Sequence, residues 1–222
     1  MRIGVVCDTH VGEHLPALPA QVCAALAGVD AIIHAGDLTG PGSGVLRELQ
    51  RIAPVYAVRG NHDEDGGWRD LPRARVLSVG GRRIAVVHGT RPRPIERAGG
   101  VVSLVTRRPQ LLGFHRAVRR SFGAVDVIVM GHIHMPVCER RRGALLFSPG
   151  AVYIPERDPW FDWSTLGGRA YRRFRALVPA PAREPAVGLI EIESDRLRVR
   201  RIPLSGPLRT RGYGTRPPGA PG

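Results

Sequence analysis

The chain reads as an α/β domain, on three observations. Short apolar runs of strand length recur along it, as in Val125-Asp126-Val127-Ile128-Val129-Met130. Segments with apolar residues at helical spacing stand between several of these runs. The runs end, one after another, in polar blocks built from Asp, Asn and His, and ligands in open α/β sheets gather at the carboxyl ends of strands. A length of 222 residues is enough for one domain with a large core.

In order, Arg2 to Cys7 is a buried strand that runs into Asp8-Thr9-His10. Alternation along the strand turns Cys7 away from Asp8 and into the core. Leu15, Leu18, Val22, Ala25 and Leu26 stand near helical spacing, so a helix is expected over Leu15–Ala27, stopped by Gly28. Ala31-Ile32-Ile33-His34 is a second strand, followed by Ala35-Gly36-Asp37, with His34 read as a packed or hydrogen-bonded residue. Ser43 or Gly44 is expected to cap a helix through Arg51. Pro54 to Val58 is a third strand, opening into Arg59-Gly60-Asn61-His62-Asp63. Arg75–Val79 and Arg82–Val87 form a hairpin about Gly80-Gly81, and the second arm delivers His88-Gly89. Thr90 to Arg108, rich in Pro, Gly and Arg, is expected as a long loop, with a helix over Pro109–Phe122 after it. The strand ending at Met130 delivers Gly131-His132-Ile133-His134. Val137–Glu139 and Ala144–Ser148 pair about Arg142-Gly143. Pro155 to Arg183 is expected to be an irregular insertion. Val187–Ile192 and Arg196–Ile202 close the domain as a hairpin about Ser194-Asp195.

Composition narrows the function classes. Hydrophobic residues make up 43 %, ordinary for a folded protein. No apolar stretch approaches the roughly 20 residues of a membrane helix, so no membrane partner is expected. Met1 to Cys7 reads as a strand and not as a signal peptide. The odd number of cysteines, three, argues against a disulfide framework and for a cytoplasmic protein. The formal net charge is +14 and the sequence pI about 11.4. Such a balance suggests a nucleic-acid partner. However, all 33 basic residues are Arg and are spread over many segments, which resembles coding-composition pressure.

The strand ends share one chemistry. Asp8, His10, Asp37, Asn61, His88, His132 and His134 are oxygen and nitrogen donors without a thiolate, and seven donors exceed what one tetrahedral zinc needs. They suit two ions about 3.5–4 Å apart, joined by a shared carboxylate, and a mixed Asp/Asn/His set favours Mn, Fe or Zn.

The ordered blocks Asp8-Thr9-His10, Gly36-Asp37, Gly60-Asn61-His62-Asp63, His88-Gly89 and Gly131-His132-Ile133-His134 resemble those of the calcineurin-like metallophosphoesterase superfamily, and the short length resembles its small single-domain phosphodiesterase branch. The domain is expected over residues 1–204, with insertions at about 90–122 and 155–183, and Ser205 to Gly222, rich in Pro, Gly and Arg, is expected to be a disordered basic tail. The resemblance implies a four-layer αββα sandwich. It implies a first ion on Asp8, His10 and His134 and a second on Asn61, His88 and His132, with Asp37 bridging them. His62 would be the catalytic histidine, oriented by Asp63. The cofactors implied are two divalent ions, Mn first, with Fe, Zn and Ni as alternatives. The activity implied is hydrolysis of a small phosphodiester with a metal-bridging hydroxide as nucleophile. A nuclease using the same site is the first alternative, and a non-catalytic scaffold on the same fold is the second. Scaffold relatives lose the histidine of the Asn-His block, which this chain keeps as His62. Relatives often carry a second His after the His-Gly block, where Thr90 stands here. The sequence leaves the oligomeric state open, a homodimer among the options.

Overall fold

Alternation along the first strand decides how the layers stack. In the computed structural model, which describes residues 1–40, 44–63, 67–109, 111–158, 161–194, 196–204 and 206, β1 (Arg2–Val6) sends Ile3 and Val5 to one face and Val6 to the other. β1 lies at the middle of a five-stranded sheet. It runs parallel to β2 (Ala31–His34), which in turn runs parallel to β3 (Val55–Ala57). On its other side it pairs antiparallel with β9 (Ala186–Glu193), and β10 (Arg196–Pro203) forms the edge. A second five-stranded sheet has the parallel strands β5 (Arg82–Val87), β6 (Val127–Met130) and β8 (Ala144–Pro149) at its centre. The antiparallel β4 (Ala74–Val79) and β7 (Pro136–Arg141) flank them.

Three apolar layers hold the stack together. Between the sheets, Ile3, Val5 and Ile33 meet Ile84, Val86 and Val129. Outside the first sheet, Val6 and Ile32 pack on Val22 of α1 (Ala20–Ala25) and on Val45 and Leu49 of α2 (Val45–Gln50). Outside the second, Ala85 and Ile128 pack on Phe114 and Val118 of α4 (Phe114–Arg120). Full burial of a Val, Ile or Phe side chain contributes about 1.5–3 kcal/mol, so each layer is a substantial apolar core. Helix, sheet, sheet, helix is the αββα sandwich that the resemblance implies.

Several local expectations change. The first helix is confined to Ala20–Ala25. Pro16 and Pro19 fall within the longer span expected, and proline cannot supply the N–H that a helix interior needs. The segment after His10 forms a turn instead, with the His14 and Leu15 N–H groups both donating to the His10 carbonyl. The long loop expected over Thr90–Arg108 is mostly helix, α3 (Arg93–Thr106). Its Pro94 sits in the first turn, where the missing N–H costs nothing. The helix expected over Pro109–Phe122 is only α4. The insertion after Pro155 carries α5 (Leu166–Ala176), whose cap Thr165 accepts a hydrogen bond from the Gly168 N–H through its hydroxyl. α3 and α5 pack against each other. Ser43, Trp160, Asp195 and the expected tail, apart from Gly206, lie outside the described residues. No helix among the described residues is long and apolar enough to cross a membrane.

Candidate metal centre

Five of the six parallel strands, all but β8, deliver a polar block at the same end of the sandwich. Asp8 and His10 follow β1, Asp37 follows β2, and Asn61 and His62 follow β3. His88 follows β5, and His132 and His134 follow β6. The first sheet therefore supplies four of the seven expected ligands and the second sheet three. The backbone bends sharply to present them: Asp8, His10, Asp37, His132 and His134 all have positive φ, between 48° and 70°. A non-glycine residue there costs on the order of 1–2 kcal/mol, and such strain clusters at functional sites. The glycines of the blocks have a separate reason. A Cβ on Gly60 would lie 2.1 Å from Asp37 Oδ1, and one on Gly131 would lie 2.8 Å from the Ala35 carbonyl. The loops approach so closely that no side chain fits between them.

The donor atoms converge in two groups. Donors of Asp8, His10 and His134 lie within 4.8 Å of one another, with His134 Nε2 3.5 Å from Asp8 Oδ1. In the second group, Asn61 Oδ1 is 3.1 Å from His88 Nε2 and 3.0 Å from His132 Nδ1. Asp37 Oδ2 lies between the groups, 3.5 Å from His10 Nε2 and 3.2 Å from His88 Nε2. Ligands about 2.1 Å from one ion stand roughly 3.0–3.4 Å apart, so these spacings fit a shared cation. Asp8 Oδ2 and His10 Nε2 are buried without a hydrogen-bond partner, a costly arrangement unless an ion completes them. The donor set therefore fits two hard or borderline divalent cations.

The far ring nitrogens are anchored as metal-binding imidazoles usually are. His88 Nδ1 lies 2.8 Å from the Ala35 carbonyl. A carbonyl only accepts, so Nδ1 carries the proton and Nε2 faces the cavity. His10 Nδ1 is 3.0 Å from Glu13 Oε2, and His132 Nε2 contacts Glu96 Oε1 of α3. His134 Nδ1 has no partner, but its carbonyl accepts from Arg175 Nη1 of α5 at 3.2 Å. Thr90, standing where relatives often carry a histidine, donates its hydroxyl to Asn61 Oδ1 at 3.1 Å.

His62 stands at the rim, its side chain 41 % exposed. Its backbone N–H donates to Asp37 Oδ1, and its ring crosses that of His10 edge-on at 4.8 Å. The expectation that Asp63 orients His62 needs correcting. Both Asp63 oxygens are taken by backbone N–H groups of Asp37, Thr39 and Gly60 at 2.7–2.8 Å. Asp63 thus clamps the loop after β2 to the loop after β3. The carboxylate on His62 is Glu13, whose Oε1 lies 2.9 Å from Nδ1.

Electrostatics follow this geometry. Burial favours the neutral acid at Asp37, but the His88 imidazole beside it holds its carboxyl well below the ordinary range. Burial likewise disfavours charge on His88, yet Asp37, with Asp8 behind it, pushes its pKa up to about 9. At His62, burial would lower the pKa, and the Glu13 carboxylate outweighs it and holds it above the usual imidazole value. His34 is buried against the Thr9 hydroxyl at 3.1 Å, and burial lowers its pKa to about 3. It is a neutral support beneath the donors.

Glu13 and Glu96 are the residues that sequence reasoning missed. Glu13 holds His10 with one oxygen and His62 with the other. Removing such an outer partner typically costs 10–100-fold in metal affinity. Glu13→Gln is expected to weaken cation binding by about that much, read by competition with a chromogenic chelator. Unchanged affinity would take Glu13 out of the metal centre.

Residues 1–161 match the calcineurin-like phosphoesterase superfamily domain. A probable metallophosphoesterase of Methanothermobacter thermautotrophicus is 34 % identical over 160 residues, spanning 72 % of this chain and 82 % of that protein. One from Methanocaldococcus jannaschii is 36 % identical over 155 residues, 70 % of each chain. Among solved structures, wild-type Vps29 of Entamoeba histolytica complexed with zinc superposes with a TM-score of 0.56 at 20 % identity, covering 92 % of this chain and 100 % of that one. An archaeal phosphodiesterase superposes with a TM-score of 0.51, also at 20 % identity, covering 91 % and 100 %. At these identities the superpositions show a common fold.

Proposed function

Because the chain belongs to the calcineurin-like phosphoesterase superfamily, we propose that it is a phosphodiesterase-type hydrolase working with two divalent cations, Mn first and Fe, Zn or Ni as alternatives. The observation that carries this reading is the pairing of inward donors with anchored outer atoms. His10, His88 and His132 each turn one ring nitrogen to the cavity while the other is fixed by Glu13, the Ala35 carbonyl or Glu96. Asp8, His10 and His134 would hold one cation and Asn61, His88 and His132 the other, with Asp37 shared. Cations held there would supply Lewis acidity toward a water and toward the phosphoryl oxygens.

The chain's own groups do the rest. Glu13 holds His62 by Nδ1, at a ring that stands beside His10 and Asp37. The Glu13 carboxylate favours the protonated ring, which is the form that would give a proton to the departing ester oxygen. Asp63 acts through the backbone, fixing the loops that carry Asp37 and Asn61.

Hydrolysis of bis(p-nitrophenyl) phosphate and of p-nitrophenyl phosphate, with Mn²⁺ and with chelator, tests the proposal. Diester turnover that vanishes with chelator and returns with Mn²⁺ supports it. No turnover with Mn, Fe, Zn or Ni sinks it and leaves the scaffold reading. A nuclease would show substrate binding that weakens steeply with salt. Cation affinity should also depend on pH. With no ion bound His88 titrates at about 9, so a cation must displace its proton at neutral pH. One displaced proton makes the apparent affinity rise about tenfold per pH unit from 7 to 9 and level off above it. An affinity flat over that range would show that no proton leaves His88 on binding, and His88→Ala with unchanged affinity would remove it from the ligand set.

A further inference from the structure

We infer that the pocket between α3 and α5 receives an alkyl or acyl chain carried on one ester oxygen of the phosphodiester, so that the substrate is a lipid-like diester. The inference rests on the hydrolase reading above and extends it to the substrate class.

The pocket has a volume of about 740 Å³, within the roughly 300–1,000 Å³ of sites that enclose a sizeable organic ligand. It begins where the donor set ends. His132 forms part of its wall while placing Nδ1 3.0 Å from Asn61 Oδ1. A phosphate held at the donor set would therefore lie beside the cation end of this pocket, within reach of a chain on one ester oxygen. Both walls are braced on the metal centre itself. α3 reaches it through Glu96 on His132, and α5 through Arg175 on the His134 carbonyl. Arg175 is itself buried and paired with Glu156 at 2.9 Å.

The lining selects the ligand. Leu104 of α3, Phe174 of α5, and Leu111, Ile133 and Met135 between them give a hydrocarbon surface. Among the described residues, most of the polar side chains in the lining belong to the rim nearest the cations. Glu96 is on His132, Arg91 lies 3.8 Å from Glu96, and Arg97 is its exposed neighbour. Beyond them Tyr171 alone adds a polar atom, and its ring stacks on Phe174 at 6.4 Å. A nucleobase or sugar would enter this space with donors and acceptors left unpaired. A hydrocarbon chain needs none, and every methylene it buries strengthens binding. The mouth is apolar as well: Val101 is 61 % exposed on one helix and Leu166 78 % exposed on the other. The arginines at the cation end suit the phosphate of such a substrate, and the α3–α5 cleft suits its tail.

The test is a homologous series, methyl, butyl and octyl p-nitrophenyl phosphate, with Mn²⁺ and wild-type protein. Each fully buried methylene is worth up to about fourfold, so kcat/KM should rise at least about tenfold from methyl to octyl. Ala170→Trp, an exposed α5 position whose new ring would fill the cleft, and Leu104→Gln should each flatten the octyl-to-methyl ratio toward one. Calorimetric binding of methyl and octyl phosphate to the same cation-loaded preparations is read in parallel. Turnover of the methyl ester with a flat series overturns the chain pocket and leaves the hydrolase. Tighter binding of octyl phosphate without any turnover keeps the pocket and overturns the hydrolase. A flat series together with a dimer by sedimentation gives the cleft to a second copy of the chain and overturns the inference.

Discussion

Asp37→Ala should empty both cation sites and reduce turnover to background. Asp37 Oδ2 stands 3.5 Å from His10 Nε2 and 3.2 Å from His88 Nε2, so one carboxylate oxygen touches a donor of each group. Without it each group keeps three donors but loses the shared negative charge, and two like-charged ions a few ångströms apart repel strongly. The loss should exceed the roughly 100-fold affinity cost of deleting an outer partner. Asp37 Oδ1 also accepts the His62 N–H, so the rim loosens too. Because Asp37 has φ 55°, alanine adds backbone strain that asparagine tolerates better. Asp37→Asn therefore separates charge from folding and should lose the ions with the fold intact. Elemental analysis after desalting decides the matter: about two ions per chain in wild type and fewer than one in either variant. Two ions retained would end the bridging role.

His62→Ala should keep both ions and lose most of the catalysis. General-acid help is typically worth 10²–10⁴, and kcat should fall within that range. The deficit should be larger for an alkyl leaving group than for p-nitrophenolate, which departs readily without a proton. His62 is 41 % exposed on its side chain, and surface substitutions of this kind usually stay within about 0.5 kcal/mol. A lower kcat with unchanged metal content and melting temperature is the expected signature. Full activity in the variant would remove His62 from the mechanism, and lost metal would recast it as a ligand.

The strands and their ends were legible because both signals are local. β2 and β5 span the residues that their apolar runs mark, Ala31–His34 and Arg82–Val87. The Gly80-Gly81 turn, with φ 55° and 70°, is the two-residue connection that the glycine pair suggests. The donors were legible because strand ends put their residue types in one cavity. What stayed hidden depends on tertiary contact. Nothing in Gly12-Glu13-His14 shows that one carboxylate meets His10 and, 49 residues on, His62. α3 was read as loop because Pro92, Pro94 and Gly99-Gly100 break its pattern. The first two sit at its start, and Gly99 is buried within the helix. The role given to Asp63 came from the resemblance, but both its oxygens meet backbone N–H groups that only the folded loops bring to it.

The donors are divided between two sheets, four on one and three on the other, and that division gives the molecule a mechanical character. The sheets touch through hydrocarbon such as Val5, Ile33, Val86 and Val129, a contact without directional bonds of its own. At the open end they stand as two jaws, and a cation held by donors of both would be a rivet between them. Such a cation would add to the links that His88 Nδ1 on the Ala35 carbonyl and the His132 N–H on Asp8 Oδ1 already make between the sheets, so loading the site should stiffen that end most.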